Sequence, residues 1–80
     1  MPSSIFTDRH QAFISFLAAA RKEAGLTQVE LATRLGKPQS YVSKVERGER
    51  RIDVIEFCQI AEALARDPAK LLKQFLDFCS

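Results

Sequence analysis

The stretch "GLTQVELATRLGKPQSYVSKVERGER", residues 25–50, contains two short helical patterns that only the three residues "GKP" separate. The first pattern covers residues 28–35 and the second covers residues 39–47. Two short helices joined by about three residues, one of them glycine, form the helix-turn-helix arrangement. Ala32 fits this arrangement, because helices that cross closely require a small side chain at the crossing point.

Capping residues and glycines around this stretch predict five helices. Helix 1 is predicted from about Asp8 to Ala24, and helix 5 from about 68 to 79, with Pro68 at its first position and Asp67 as its cap. The predicted capping boxes, each a cap with its partner three residues on, are Asp8 with Gln11, Thr27 with Glu30, and Asp53 with Glu56. The glycines predicted to end helices in the left-handed conformation are Gly25, Gly36 and Gly48.

Each predicted helix has an apolar face, and together these faces predict a single core. The predicted inward residues are Phe13, Leu17 and Ala20 in helix 1, with Ile14 and Phe16 partly outside the stripe; Leu31 and Leu35 in helix 2; Val42 and Val45 in helix 3; and Ile55, Ile60, Ala61 and Leu64 in helix 4. Eighty residues suffice for one domain only. We therefore expect residues 1–80 to form a single all-α, helix-turn-helix domain.

Several other classes of protein are not expected. The longest apolar run, "AFISFLAAA", is too short to cross a bilayer and follows no basic leader, so a cytoplasmic protein is predicted. His10 is the only histidine, and Cys58 and Cys79 form no CxxC motif, so we expect reduced thiols and no enzyme. Neither a cofactor, a metal, a small-molecule ligand nor a membrane is expected as a partner.

Positive charge is concentrated in the middle of the chain. Residues 34–51 carry six basic and two acidic side chains, a net charge of +4, whereas residues 1–33 are neutral and residues 52–80 have a net charge of −2. A basic segment is typical of a protein that binds a polyanion. The six basic residues are Arg34, Lys37, Lys44, Arg47, Arg50 and Arg51.

The outward face of helix 3 has the chemistry of a DNA-reading surface. When Val42 and Val45 point to the core, the opposite side and the N-terminal end carry one amide, two hydroxyls and two cations, and no carboxylate. Glutamine can pair with adenine, lysine can reach guanine acceptors, and serine can bond to either base. The predicted base-reading residues are Gln39, Ser40, Ser43 and Lys44, and Arg47 completes the face.

Phosphate contacts are predicted beside this face. Thr27 and Gln28 begin helix 2, and the N–H groups at a helix N-terminus form a site for phosphate. Tyr41 lies at the flank of helix 3, where its hydroxyl could meet a phosphate. Two interpretations of this face are possible: a DNA-binding surface, or the ordinary solvated side of a surface helix. The helix pair, the basic loop and these residues together favour the first, with double-stranded DNA as the partner.

The quoted run resembles the small DNA-binding domains of the phage Cro and cI repressor type, the XRE family. The resemblance covers about residues 9–66 and rests on "LTQVELATRLG", on "QSYVSKVERG" and on the helix that follows. It implies a compact five-helix bundle of the lambda-repressor-like type, with helix 3 in the major groove. It extends equally to phage repressors, restriction–modification controller proteins and antitoxins.

The resemblance also implies roles for individual residues. Gln28 would contact a phosphate; Gln39, Ser40 and Lys44 would read bases; and Arg47, Arg50 and Arg51 would hold the DNA backbone. Arg21 and Glu46 match positions that form a buried ion pair between helix 1 and helix 3. Two residues depart from the family pattern: Lys37 replaces an aliphatic residue, and Pro38 replaces a serine or threonine cap worth ~1 kcal/mol.

One short recognition helix contacts few base pairs, so the sequence predicts a homodimer. Two copies would bind half-sites about 34 Å apart in a palindromic or pseudo-palindromic operator and regulate transcription, for example as a repressor. Helix 5 is the candidate dimerisation element, with Leu72, Phe75, Leu76 and Cys79 as its predicted interface residues. The alternative function is a protein-interaction module, such as an antitoxin-like protein that binds a partner through helix 5.

Overall fold

The structure, a computed structural model, describes residues 5–79, with side chains from residue 9 onward. Within this range five helices are present and no strand occurs, so the all-α prediction is confirmed. The helices are α1 (Ile5–Glu23), α2 (Gln28–Leu35), α3 (Gln39–Glu46), α4 (Val54–Ala63) and α5 (Pro68–Cys79). None of them is both long enough and apolar enough to pass through a membrane.

The turn between α2 and α3 is built from backbone hydrogen bonds. Gly36 has φ +69°, and its N–H donates to the carbonyl of Thr33 at 3.1 Å. The N–H of Lys37 donates to the carbonyl of Ala32 at 2.9 Å, which closes the end of α2. Pro38 then takes the N-cap position of α3 without a side-chain cap, as its chemistry requires. The chain therefore turns within three residues.

Two of the predicted capping boxes begin helices as expected. Thr27 accepts a hydrogen bond from the N–H of Glu30 at 3.1 Å, and Glu30 accepts one from the N–H of Thr27 at 2.8 Å. Asp53 and Glu56 do the same at the start of α4, at 2.7 and 2.9 Å. The third box is wrong, because α1 begins at Ile5 and Asp8 lies inside it. The side chain of Asp8 is outside the described residues.

The core is formed where α4 meets the other helices. Phe57, Ile60, Ala61 and Leu64 are all buried, and their spacing of three, one and three residues puts them on one face of a helix. Ile55 was predicted on this face but is 66% exposed, because its position lies on the opposite side of α4 from Phe57. Phe57 therefore occupies the first core position of α4, which the sequence pattern assigned to Ile55.

The buried face of α1 is shifted relative to the prediction. Ile14, Leu17 and Ala20 are buried, whereas Phe13 is half-buried, so Ile14 belongs to the core rather than to its edge. A Cβ on Gly48, which has φ +78°, would lie 3.1 Å from Cδ1 of Ile14. The absence of a side chain at Gly48 therefore lets the loop after α3 approach α1 closely.

Helix α5 closes the core against α1. Leu71 is fully buried, at 0% exposure, and Phe75 is 7% exposed. The ring of Phe75 packs against those of Phe13 and Phe16, with centroid distances of 5.2 and 5.5 Å. The prediction that Phe75 belongs to a dimer interface is therefore wrong: the spacing of four residues from Leu71 to Phe75 places both side chains on the inward face of α5. The exposed large apolar residues of α5 are Leu72, Leu76 and Phe78.

Candidate nucleic-acid interface

Helix α3 turns a polar face to solvent. Val42 and Val45 are buried beneath it, at 3% and 4% exposure. The predicted base-reading residues on its outer side are Gln39, Ser40 and Lys44, which are exposed, and Ser43, which is half-buried. The structure thus brings these four side chains to one face of one helix.

A buried ion pair supports α3 from below. Nε of Arg21 donates to Oε2 of Glu46 at 2.8 Å, Nη2 donates to Oε1 at 3.1 Å, and the two side chains are only 9% and 11% exposed. Nη1 of Arg21 also donates to the carbonyl of Leu26 at 2.7 Å. The pair joins α1, the start of the helix-turn-helix and the last turn of α3, which is the arrangement that the resemblance implied.

Hydrogen bonds extend this ion pair to the outer face of α3. Oε1 of Glu46 also accepts from Nε2 of Gln28 at 2.9 Å. Oε1 of Gln28 in turn accepts from Nε2 of Gln39 at 3.0 Å. Gln28 and Gln39, which the sequence assigned to phosphate and base contacts separately, are therefore neighbours. The buried guanidinium of Arg21 thus orients the amide of Gln39 through Glu46 and Gln28, which lie between them.

Arg47, the residue that ends α3, lies across the outer face of the helix. Its Nε and Nη2 donate to the carboxylate of Glu49 at 2.9 and 3.2 Å, and Nη1 donates to Oγ of Ser43 at 2.7 Å. This hydrogen bonding lowers the pKa of the Glu49 carboxyl and raises the pKa of Arg47. The helical spacing predicts Arg47 as a cation on this face, but no sequence pattern indicates Glu49 as its partner.

Arg50 belongs to a second cluster, beside Tyr41. Its Nη1 and Nη2 donate to the carboxylate of Glu56 at 3.3 and 2.9 Å, and its guanidinium lies 4.7 Å from the centre of the Tyr41 ring. Nζ of Lys37 lies 5.4 Å from the same ring centre. Burial is the largest cause of the raised pKa of the Tyr41 hydroxyl.

The remaining predicted phosphate contacts are in different situations. The hydroxyl of Thr27 is engaged in the cap of α2, while Arg51 is exposed at the start of the loop before α4.

Cys58 and Cys79 are half-buried free thiols. Among residues 5–79, no group of three or more potential ligands is placed to hold a metal ion.

Two short helices joined by a three-residue turn, the second with a polar, exposed outer face, define a helix-turn-helix protein. Comparison with known proteins agrees. A helix-turn-helix family profile matches residues 17–71. An uncharacterized HTH-type transcriptional regulator of Sinorhizobium fredii, y4dJ, is 41% identical over 58 residues, which cover 72% of this chain and 75% of that protein.

Solved structures extend the match to almost the whole chain. An XRE-family like protein from Pseudomonas syringae is 47% identical, covers 95% of this chain and 93% of its own, and superimposes with a TM-score of 0.86. The restriction–modification controller protein C.AhdI from Aeromonas hydrophila is 35% identical over 78% of this chain and 94% of its own, with a TM-score of 0.70. The chain therefore belongs to the XRE family of helix-turn-helix, DNA-binding transcriptional regulators.

Proposed function

We propose that the protein binds a specific double-stranded DNA sequence as a dimer, with α3 of each copy in the major groove. The observation that carries this proposal is the outer face of α3, where amide, hydroxyl and ammonium groups are presented above two buried valines. These groups match the donors and acceptors of base edges in the major groove. The buried Arg21–Glu46 pair supports the proposal, because it fixes α3 against the rest of the domain.

Gln39, Ser40, Ser43 and Lys44 are the proposed base-reading residues. Gln39 enters the groove with its amide already oriented by Gln28, which lowers the entropy lost when it pairs with a base. Such pre-orientation favours one base over the others, because a rotated amide would exchange its donor and acceptor positions. Ser40 and Lys44 lie one helical turn apart, which suits contacts to neighbouring base pairs.

The proposed phosphate contacts surround this face on both sides. Arg51 is exposed, Arg47 lies at the end of α3, and the amide end of Gln28 marks the start of α2. Arg50 and Tyr41 stand together at the other flank, and Thr27 contributes the start of α2 as a helix N-terminus. These contacts hold the duplex without selecting its sequence.

The proposed dimer uses the exposed apolar side chains of α5 rather than Phe75. Leu72 and Leu76 are 42% and 47% exposed and lie one turn apart, and Phe78 and Cys79 follow them. Val54, exposed at the start of α4, lines a groove together with Leu72 and extends the apolar surface available to a second copy. A two-fold interface of this kind would present two copies of α3 to successive major grooves on one side of the duplex.

A test of DNA binding starts from selection of bound sequences out of a random duplex pool. Gln39→Ala and Lys44→Ala should each lower the affinity for the selected sequence by about 5- to 150-fold, because each base contact contributes ~1–3 kcal/mol. Each variant should also relax the preference at one base position. Arg51→Ala should weaken all duplexes alike and lower the slope of log affinity against log salt by about 0.9. Binding is measured by fluorescence anisotropy at several salt concentrations.

Lys70→Ala is the matched control, because it removes one positive charge from the exposed surface of α5. It should leave both the affinity and the preference nearly unchanged. If the wild-type protein bound no duplex at low salt, the alternative of a protein-interaction module would replace this proposal. If Gln39→Ala, Lys44→Ala and Arg51→Ala all bound every duplex as the wild type does, the assignment of residues would be overturned.

A further inference from the structure

Arg47 and Arg50 are both held by carboxylates, but in different ways. Glu56, the partner of Arg50, is 19% exposed and also accepts the cap hydrogen bond from the N–H of Asp53 at 2.9 Å. Arg50 is held additionally by its own loop, through the carbonyl of Arg51 at 2.9 Å, and by the Tyr41 ring. Arg50 is thus part of the scaffold that joins α3 to α4.

Arg47 has no such scaffold. Arg47 and Glu49 are 57% and 55% exposed, and the contact between them spans only two residues of chain. An exposed ion pair of this kind contributes little to stability and exchanges readily for other partners. Yet all three nitrogens of the Arg47 guanidinium donate hydrogen bonds, two of them to the same carboxylate.

A carboxylate and a phosphate accept this guanidinium fork in the same way, through two parallel N–H···O bonds. We propose that Glu49 is an internal stand-in for a DNA phosphate, which occupies Arg47 until the protein binds a duplex. Arg47 must leave Glu49 before it can contact the DNA backbone, and its departure also removes the bond that it donates to Ser43. Glu49 therefore restrains the proposed phosphate contact of Arg47.

This inference rests on the proposed function, and it predicts how the restraint appears in binding. When a DNA phosphate replaces Glu49 as the partner of Arg47, the affinity gained is smaller than for a new contact, because one ion pair is lost as another forms. The released Glu49 carboxylate attracts a salt cation, which offsets the cation that the DNA releases. Glu49 thus lowers the affinity for all duplexes and flattens the salt dependence. Because Arg47 contacts the backbone, the order of preference among sequences does not change.

The test compares Glu49→Gln with the wild type on a selected duplex and on a random-sequence duplex. We expect Glu49→Gln to bind both about two- to five-fold more tightly at ~0.1 M salt, and to steepen the salt slope by up to about 0.9. Glu23→Gln is the matched control, since it removes one exposed negative charge from the last residue of α1. Thermal unfolding of each variant shows that the fold is retained.

Arg47→Ala separates this mechanism from simple repulsion between Glu49 and DNA. In a protein that already carries Arg47→Ala, Glu49→Gln should produce no more gain than Glu23→Gln does. The inference is overturned if Glu49→Gln and Glu23→Gln are equal in the wild-type background, or if the gain persists without Arg47. A wild-type protein that binds no duplex would overturn the proposed function as well, so the two failures are distinguishable.

Discussion

Single residues explain which parts of the interface could be predicted. The exposed side chains of α3 follow from helical periodicity, since buried valines at positions 42 and 45 determine which residues point outward. Side-chain partners do not follow from periodicity. The sequence predicts only a capping box for Glu56 and no partner for Glu49, and only their positions in space show that each holds an arginine. The Arg21–Glu46 pair was reached through family resemblance, because 25 residues separate its members.

Glu46 is the residue whose loss should cost the most stability. Glu46→Ala leaves the Arg21 guanidinium buried without its carboxylate, so we expect the free energy of unfolding to fall by about 3–5 kcal/mol. Urea denaturation followed by circular dichroism measures this change. Lys73→Ala breaks the exposed Lys73–Asp77 pair on α5 and should cost no more than about 0.5 kcal/mol. Equal effects of the two variants would show that the burial of Arg21 contributes nothing.

At the scale of helices, ends were easier to predict than faces. Thr27, Asp53 and Gly36 mark helix ends by local chemistry, and each does so in the structure. The start of α1 and the buried face of α4 depend instead on what packs against them, and both predictions were wrong in part. No glycine marks the end of α4 in the sequence. Ala65 instead adopts the left-handed conformation there, with φ +59°, in which a glycine would be unstrained.

Ala65 offers a test of this reading of helix ends. Ala65→Gly should raise the free energy of unfolding by about 0.5–1 kcal/mol, since relief of left-handed strain exceeds the added entropy of the unfolded chain. Gly36→Ala is the same exchange in the opposite direction at φ +69°, and should lower it by a similar amount. Thermal denaturation of both variants measures the effects. Destabilisation by Ala65→Gly would mean that the alanine side chain contributes packing that outweighs the strain.

For the whole molecule, five apolar helix faces, three helix-ending glycines and a short turn were enough to predict the fold. The composition of α5 did not decide which of its apolar residues close the core and which remain outside. Phe75 is buried because two aromatic rings of α1 pack against it, and Leu71 belongs to the buried cluster that includes Leu17 and Ala20 of α1. Three-dimensional packing was needed to divide this helix between the core and a surface.

The exposed surface of α5 makes the oligomeric state a direct test. We expect sedimentation equilibrium to show a concentration-dependent dimer, and Leu76→Glu to shift it toward monomer without unfolding, because Leu76 is 47% exposed. Val29→Glu is the control, since Val29 is 56% exposed on α2. A wild-type monomer at every concentration would contradict the proposed interface.

Phe75→Ala should unfold the domain instead, since its ring contacts α1.

The line of contacts from Arg21 through Glu46 and Gln28 to Gln39 has a consequence for how such a regulator acquires new targets. A substitution at Arg21 or Glu46, beneath the proposed recognition helix α3, would tilt the amide of Gln39 and alter which operator the protein prefers. Evolutionary divergence of target choice need not be confined to side chains that touch bases. Laboratory selection for altered operators should recover changes at Arg21 and Gln28 as well as on α3.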